Sequence, residues 1–412
     1  MSDLPSRSEK TWLTIIGIGE DGPDGLGDEA RRLIASAPVV FGGARHQALL
    51  DRLISGERLI WQSPFEASVD DIVSRRGTPV VVLASGDPFL YGVGATLSRR
   101  IAAEEMRTIP TPSAFSLAAS RLGWPLQDVA AVSLHGRPIE LIMPHLHDDR
   151  RIIALTSDEN GPAEIARLLT NYGFGRSRLT VLEALGGDRE KVRSALAAEF
   201  ALGALDPLNV CAVEVVADEK ARILPFTNGL DDGFFEHDGQ ITKREIRALT
   251  LSALSPRYGE LLWDVGAGSG SIGIEWMLCD PSLKAIAIEQ SPDRAARIAR
   301  NATALGVPSL ALVEGSAPSA LADLAPPDAI FIGGGGSEPG VLEAAIAALK
   351  PGGRLVANAV TLEMEALLLS EYAKRGGTLT RIEVSRAAPV GTMSGWRPAM
   401  PVTQWRWIKD LT

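Results

Sequence analysis

Short apolar runs alternate with stretches of helical spacing along the first half of the chain. The mostly apolar run Trp12 to Ile18 precedes the glycine-rich stretch GIGEDGPDGLG and then helical spacing over Asp28 to Ser36. Such short apolar runs are typical of strands buried on both faces. Further strands are predicted at 39–41, 80–83, 151–155, 178–182 and 209–216. The alternation predicts an α/β fold with a largely parallel sheet covered by helices.

A second alternation of predicted strands and helices follows an irregular stretch. Residues 217–239 are rich in acidic residues, glycine and proline, a composition that is typical of a connection between domains. A boundary near Thr227 divides the chain into predicted domains at 11–226 and 227–412. Strands of the second domain are predicted at 261–265, 285–289, 310–314, 329–332, 354–359, 378–385 and 403–408. Seven strands favour a doubly wound sheet closed by a final antiparallel pair.

Length and composition support two folded domains. A chain of 412 residues exceeds what one compact core usually covers. Hydrophobic residues make up 45%, and no run approaches the roughly 20 apolar residues that cross a bilayer. The N-terminus MSDLPSRSEK lacks the apolar core of a signal peptide, and the chain has two cysteines, Cys211 and Cys279. We therefore expect a soluble, cytoplasmic protein without disulfides and without a membrane partner.

Charge and histidine content argue against two other classes of site. The formal net charge of −10 opposes general affinity for nucleic-acid phosphates, so no nucleic-acid partner is expected. His145 and His147 are followed by Asp148 and Asp149, which invites comparison with a metal site. Isolated histidine pairs in polar loops are usually solvated surface, and we expect no metal.

The second half contains a glycine loop directly after a predicted strand. In LLWDVGAGSGSIGIEWM, Gly266, Gly268 and Gly270 lead into a helix, and Ser271 occupies the third-glycine position of a dinucleotide fingerprint. Glycine lets the backbone turn sharply and approach a ligand, while a helix N-terminus presents free N–H groups. Glu289 ends the next strand, where a carboxylate can accept the hydroxyl groups of an adenosine ribose.

A tight strand-to-helix turn would explain the glycines alone. Asp264 before them, Glu289 and the turn at Glu314 to Ala317 favour a cofactor site.

Three loops of the first half carry a comparable pattern. In VVVLASGDPFLYGVGATL, the residues Ser85 to Pro88 follow an apolar strand. A plain turn would explain them, but a second loop at Pro112 to Ala114, a turn at His135 to Arg137 and the N-terminal glycine-rich stretch accompany them. Together the three loops and the turn favour a second cofactor site.

The second half resembles the Rossmann methyltransferases that methylate and decarboxylate precorrins. The resemblance spans Phe235 to Lys409 and rests on FFEHDGQITKREIRAL, DVGAGSGSIGIEW, VEGSAPSAL, IFIGGGG and LKPGGRLVANAVTLE. It implies a Rossmann-like, S-adenosylmethionine-dependent methyltransferase domain. The cofactor residues it implies are Thr242, Gly266, Ala267, Gly268, Ser269 and Gly270, with Glu289 on the ribose and Gly315 and Ala317 beside the adenine. The run Gly333 to Gly336 is expected at the substrate side or as a flexible turn.

The first half, from Trp12 to Val216, resembles the tetrapyrrole methylase family. The resemblance implies an α/β domain of that type with a second S-adenosylmethionine site. The residues it implies there are Gly17, Gly19, Ser85, Gly86, Asp87, Ser113 and Ala114. The first loop reads Gly19, Glu20, Asp21, Gly22 where the family commonly has Gly-Pro-Gly, so its cofactor contact is the weakest expectation.

The two halves in this order resemble the fused precorrin-6Y methyltransferases (decarboxylating) of aerobic cobalamin biosynthesis. The resemblance implies a bifunctional enzyme that methylates carbons 5 and 15 of a tetrapyrrole and removes carbon dioxide from the ring C acetate. A sulfonium methyl group is already electrophilic, so alignment matters more than a strong base, and no catalytic triad is expected. We also expect a homo-oligomer formed through the C-terminal half, whose number of copies the sequence does not determine.

The substrate of such enzymes carries acetate and propionate groups, which Arg, Lys and His side chains can bind. The candidates are His237, Lys243, Arg244, Arg386 and Arg397 in the second half and His135 and Arg137 in the first. Each could instead be an exposed solvating charge, and His135 could be a buried structural histidine.

Four other functions fit parts of the pattern. They are a methyltransferase for another tetrapyrrole, an RNA or diphthamide-type methyltransferase, an NAD-dependent dehydrogenase and a non-catalytic cofactor sensor. RNA and diphthamide methylation leave the second domain unexplained, and the net charge opposes RNA. Ser271 and the lack of a catalytic His or Tyr constellation weaken the dehydrogenase interpretation.

Overall fold

The computed structural model describes residues 10–411. They form two compact units. The first unit comprises the residues up to Ile139 together with His147–Arg222, and the second comprises Glu140–Leu146 together with the residues from Ile223 onward.

A five-stranded parallel sheet opens the first unit. Its elements are β1 (Leu13–Ile18), α1 (Asp28–Ser36), β2 (Val39–Gly42), α2 (Ala44–Leu49), β3 (Glu57–Ile60), α3 (Phe65–Ser74), β4 (Val80–Ser85), α4 (Val93–Leu97) and β5 (Met106–Ile109). The strand order is β3-β2-β4-β1-β5, and every pair is parallel. All residues of β1 and all but the last of β4 are buried, which explains their apolar sequences.

A second sheet completes the first unit. Its elements are α5 (Ala114–Leu122), β6 (Val129–Ser133), β7 (Arg151–Leu155), α6 (Gly161–Asn171), β8 (Arg178–Glu183), β9 (Lys191–Leu196) and β10 (Asn209–Glu214). The order is β6-β7-β10-β8-β9, and only the β6–β7 pair is parallel. The prediction of one largely parallel sheet is therefore wrong for this half. Only residues 184–190 join β8 to β9, and a parallel crossover needs a dozen or more.

The second unit contains a sheet of seven strands, as predicted, and a separate two-stranded hairpin. Its elements are α7 (Arg244–Leu254), β11 (Leu261–Val265), α8 (Ser271–Cys279), β12 (Lys284–Glu289), α9 (Pro292–Ala304), β13 (Ala311–Glu314), β14 (Ala329–Ile332), α10 (Val341–Ala348), β15 (Arg354–Ala359), α11 (Leu362–Arg375), β16 (Thr378–Ile382), β17 (Ser385–Val390), β18 (Met393–Pro398) and β19 (Val402–Ile408). The order is β13-β12-β11-β14-β15-β19-β16. The first five strands are parallel, and β19 pairs antiparallel with β15 and β16.

The strand predicted at 378–385 is too long. It ends at Ile382, and Ser385 already belongs to the separate hairpin of β17 and β18.

A buried arginine fixes the end of α7 to the sheet of the second unit. The guanidinium of Arg354 donates to the carboxylate of Glu260, with Nη1 2.8 Å from Oε1, and to the carbonyl of Leu254 over 2.6 Å. The Arg354 side chain is only 2% exposed. Removing one partner of such a pair leaves the other groups without their donor, which is costly in a buried place.

We predict that Arg354→Met lowers the free energy of unfolding of the second unit by about 3 kcal/mol. Arg381→Met is the matched control, because Arg381 is half exposed where it pairs with Glu365 and should cost below about 1 kcal/mol. Urea denaturation followed by tryptophan fluorescence measures both variants. Equal small losses would contradict the structural role of Arg354.

Candidate active sites

A cavity of about 420 Å³ lies in the first unit, at the carboxyl ends of its parallel strands. The loops that follow β1, β4 and β5 line it, together with residues of the second sheet. Residues singled out from the sequence that line this cavity are Gly19, Ser85, Gly86, Asp87, Ser113, Ala114, His135 and Arg137. The structure therefore brings the three loops and the His135 turn together.

The end of β1 and the loop after β4 meet backbone to backbone. A Cβ atom on Gly17 would lie 1.9 Å from the carbonyl oxygen of Gly86, and Thr111 N–H donates to that same oxygen over 3.2 Å. Gly86 itself has φ +56°, a conformation that favours glycine. Gly17 does not line the cavity. Its missing side chain lets the loop after β4 approach the end of β1 closely.

Asp87 and Ser113 shape their loops through contacts to the backbone. The Asp87 carboxylate accepts from Phe89 N–H over 2.9 Å, which is an Asx turn. Ser113 caps α5 by accepting from Ser116 N–H over 3.2 Å. These contacts mean that both side chains hold the loop geometry around the cavity.

His135 and Arg137 are exposed residues of the cavity wall. Because a carbonyl can only accept, His135 Nδ1–H donates to Thr156 O over 3.1 Å, which fixes the tautomer of the neutral ring. Arg137 lies with its guanidinium carbon 5.4 Å from the ring centre of Tyr91. The alternative of a buried structural His135 is wrong.

The cavity also contains a polar group that the sequence analysis missed. Arg45 and His46, at the start of α2, both contact the Ser85 hydroxyl at 2.9 Å, and Arg45 forms an ion pair with Glu20. Burial and, secondarily, the Arg45 cation lower the pKa of His46 to about 4. The turn GGARHQ after β2 was the available signal, but the partners of its side chains come from other strands.

The glycine loop of the second unit adopts backbone conformations that only glycine accepts readily. Gly266, Gly268 and Gly270 have φ of +69°, +63° and +76°. A Cβ on Gly266 would lie 2.3 Å from the carbonyl oxygen of Gly334. Within the run Gly333 to Gly336, Gly334 is therefore packed against Gly266. Ala267 and Ser269 complete this loop, which ends where α8 begins.

Glu289 connects the glycine loop to the ends of β12 and β13 through hydrogen bonds. It ends β12, is 4% exposed, and accepts from Gly268 N–H over 2.8 Å and from Ser291 N–H over 3.0 Å. Its backbone carbonyl accepts from Gly315 N–H over 3.0 Å. Each carboxylate oxygen keeps a further lone pair, so a ribose hydroxyl can still donate to it. Ala317, which follows in the next loop, packs against the core of this unit.

Asp264 lies beneath the same loop. It is 1% exposed, and one carboxylate oxygen accepts from Gly273 N–H over 2.9 Å. The other oxygen has no partner among residues 10–411. Burial, and to a smaller extent the charge of Glu289, raises the pKa of Asp264 to about 7. A proton on Asp264 relieves the repulsion between the two carboxylates.

Residues 228–243, called here the covering segment, pass over the glycine loop. A Cβ on Gly268 would lie 3.4 Å from Gln240 O in this segment. Arg247, which is fully buried, donates to Asp232 Oδ1 over 3.1 Å and to Thr242 O over 2.5 Å. It also forms an ion pair with Glu275 and donates to Leu230 O. Thr242 is thus positioned through its backbone, and the sequence did not reveal Arg247 because its partners lie on other elements.

The candidate cations of the second unit lie on the covering segment, α7 and the hairpin. His237 Nδ1 accepts from Gly239 N–H over 3.0 Å, and Lys243 lies 3.6 Å from Asp232. Arg244 begins α7. Arg386 faces Arg397 across the hairpin and forms an ion pair with Glu245 of α7. Arg386 is therefore brought to the start of α7, but its charge is partly neutralised there.

Within residues 10–411, no group of three or more His, Cys, Asp and Glu side chains is placed to hold a metal ion. No helix in that range combines the length and apolar character needed to span a membrane.

Comparison with protein families matches both halves of the chain. The family described as tetrapyrrole (corrin/porphyrin) methylases matches residues 12–201, and the precorrin methyltransferase domain matches residues 233–409. The chain is 68% identical to a Sinorhizobium protein named precorrin-6Y C(5,15)-methyltransferase [decarboxylating], over 97% of this chain and 96% of that protein.

Two shorter relatives from Salmonella typhimurium each match less than half of the chain. One is named cobalt-precorrin-7 C(5)-methyltransferase and is 32% identical over 47% of this chain and 96% of its own length. The other is named cobalt-precorrin-6B C(15)-methyltransferase (decarboxylating) and is 34% identical over 39% of this chain and 85% of its own length.

We predict that Arg247→Met increases hydrogen exchange in the covering segment and the glycine loop by about tenfold or more, because the buried guanidinium is their shared anchor. Arg300→Met is the control: Arg300 pairs with Glu236 of the same segment at 2.9 Å, but both side chains are more than half exposed. Hydrogen exchange followed by mass spectrometry measures both. Equal protection in the two variants would show that Arg247 is not the anchor.

Proposed function

Since the chain belongs to the family of precorrin-6Y C(5,15)-methyltransferases (decarboxylating), we propose that it methylates carbons 5 and 15 of precorrin-6Y and removes carbon dioxide from the ring C acetate. The methyl donor is S-adenosylmethionine, bound once in each half, with the domains at 11–226 and 227–412. The observation that carries the proposal is that each unit has its own set of glycine loops at the carboxyl ends of parallel strands. A homo-oligomer through the C-terminal half and a cytoplasmic location stay predictions.

The chemistry divides between the halves in this proposal. The two Salmonella relatives are separate proteins, one named for C(5) methylation and the other for C(15) methylation with decarboxylation. The second half matches the precorrin methyltransferase domain and the first half the tetrapyrrole methylases. We assign carbon 15 and the decarboxylation to the second half, and carbon 5 to the first.

In the second half, the residues act mainly by holding and aligning. S-adenosylmethionine supplies an electrophilic methyl group when it is bound. Glu289 accepts the ribose hydroxyls, and the glycine loop leaves room for the cofactor where side chains would clash. The covering segment, anchored by Arg247, limits access of water to the loop beneath it. Alignment of two reactants can lower a barrier by about 7 to 11 kcal/mol in favourable cases, so no side-chain nucleophile is required.

Decarboxylation requires an acceptor for the electron pair of the broken carbon–carbon bond and does not require a nucleophile. The bond between the acetate methylene and its carboxylate breaks, carbon dioxide leaves, and the electron pair passes into the conjugated macrocycle. A proton must then be supplied to the macrocycle. The protein's task is to orient the carboxylate, for which Lys243, Arg244 and Arg397 are the candidate cations.

In the first half, the cavity is lined by Arg137 and His135 and by the backbone of the strand-ending loops. Gly86 and Gly17 bring the loops together, and Asp87 and Ser113 hold their turns. Arg137 and His135 face the same space and provide contacts for the acidic periphery of a tetrapyrrole.

Two substitutions separate the reactions. Glu289→Ala removes the ribose acceptor and should raise the Michaelis constant for S-adenosylmethionine of the second half by about 10- to 100-fold, the effect of losing a charge-assisted hydrogen bond. Asp87→Ala removes the Asx turn of the first half. At limiting S-adenosylmethionine, Glu289→Ala should leave the carboxylated macrocycle, whereas Asp87→Ala should accumulate a decarboxylated product short of one methyl group.

Mass spectrometry of the products gives the assignment, and each variant is the control for the other. If Asp87→Ala abolished release of carbon dioxide while Glu289→Ala left it intact, the halves would have the opposite roles.

A further inference from the structure

Four side chains form a connected polar group at one wall of the first unit's cavity: Glu20, Arg45, His46 and Ser85, called here the Arg45 cluster. All four line the cavity. Glu20 follows β1, Arg45 and His46 begin α2, and Ser85 ends β4, so three strand ends contribute to it. None of these contacts belongs to the cofactor loops' own turn geometry.

The hydrogen bonds of the cluster can be oriented from the chemistry of the groups. Arg45 can only donate, so its Nη2 gives a hydrogen bond to Ser85 Oγ over 2.9 Å. The Ser85 hydroxyl can then donate to His46 Nε2, also at 2.9 Å. His46 is consequently a neutral ring protonated on Nδ1. Arg45 Nη2 also lies 2.9 Å from His46 Nε2, so the guanidinium donates to both residues.

Two arginines contact the one carboxylate of the cluster, and the second of them, Arg189, also pairs with Asp206. Glu20 pairs with Arg45 on one side and lies 3.4 Å from Arg189 on the other. The pKa of Arg45 is lowered by burial and then by the charge of Arg189. The pKa of His46 is lowered by burial and then by Arg45. Burial is the larger cause in both cases, so the Arg45 guanidinium has lost part of its hydration, and an added anion would stabilise its charge.

Arg45 and Glu20 both line the cavity, but Arg45 is the more exposed of the two. The Arg45 side chain is 36% exposed and that of Glu20 only 9%. A purely structural ion pair would need no cavity-facing guanidinium. Glu20 instead holds Arg45 in one direction, which explains why an acidic residue can stand where the related first loop commonly has proline.

We propose that Arg45 forms a carboxylate-binding subsite of the first unit, and that it binds an acetate or propionate group at the edge of the macrocycle. Glu20, His46 and Ser85 are positioning residues of this subsite. The inference rests on the proposed function for the identity of the macrocycle.

The test compares Arg45→Met, Arg45→Lys and Arg58→Met in the full chain. Arg58 is the matched control, because its side chain is also 36% exposed and pairs with a carboxylate, Asp51, but it does not line the cavity. Arg45→Met should raise the Michaelis constant for the macrocycle in carbon 5 methylation by about 10- to 100-fold, with a turnover number within about twofold of the parent. Arg45→Lys should recover part of the loss, and Arg58→Met should change nothing.

Two further readouts separate recognition from a structural effect. S-adenosylhomocysteine affinity should stay within about twofold in Arg45→Met, and carbon 15 methylation in the same samples should be unchanged. A parallel loss of cofactor affinity, or an unchanged Michaelis constant for the macrocycle, would overturn the proposal.

A binding measurement keeps the inference independent of the proposed reaction. Uroporphyrin, a fluorescent porphyrin with acetate and propionate groups, should bind Arg45→Met about tenfold more weakly than Arg58→Met, and its methyl ester should bind both variants alike. Failure of the parent protein to act on precorrin-6Y would count against the proposed function alone. Equal binding of uroporphyrin by the two variants would count against the subsite.

Discussion

Backbone contact between neighbouring strand-ending loops, closer than any side chain permits, is the constraint on which both sites depend. In the first unit, a Cβ on Gly17 would lie 1.9 Å from Gly86 O, and in the second, a Cβ on Gly266 would lie 2.3 Å from Gly334 O. Gly17 lies near the end of β1, and Gly86 follows the adjacent parallel strand β4. Gly266 and Gly334 follow the adjacent parallel strands β11 and β14. The same solution therefore occurs in two differently built units. It leaves a floor of backbone groups where a cofactor can approach closely.

Polar contacts then fix the loops that the glycines bring together. Glu289 bonds the glycine loop through Gly268 N–H, and Arg247 anchors the covering segment above it. In the first unit, Asp87 and Ser113 perform the comparable task within their own turns. These sites are suited to methyl transfer because the reaction asks for two aligned partners and an environment that keeps them aligned.

In the first unit, the sequence predicted the interior of each sheet better than its edges. The strands missed there, β3, β5, β6 and β9, are the four edge strands of its two sheets, and exposed polar residues interrupt the apolar pattern in β3, β5 and β9. Glycine loops and Glu289 were recognisable because they are local patterns at strand ends. Arg247 and His46 were not, because each acquires its role from partners on other elements, such as Glu275 and Ser85.

Calorimetric titration of the intact chain with S-adenosylhomocysteine counts the cofactor sites directly and does not require the macrocycle. We predict two sites per chain, one of which is weakened by Glu289→Ala while the other is unchanged. A single site on correctly folded protein, with Glu289→Ala removing all binding, would contradict an independent cofactor site in each half.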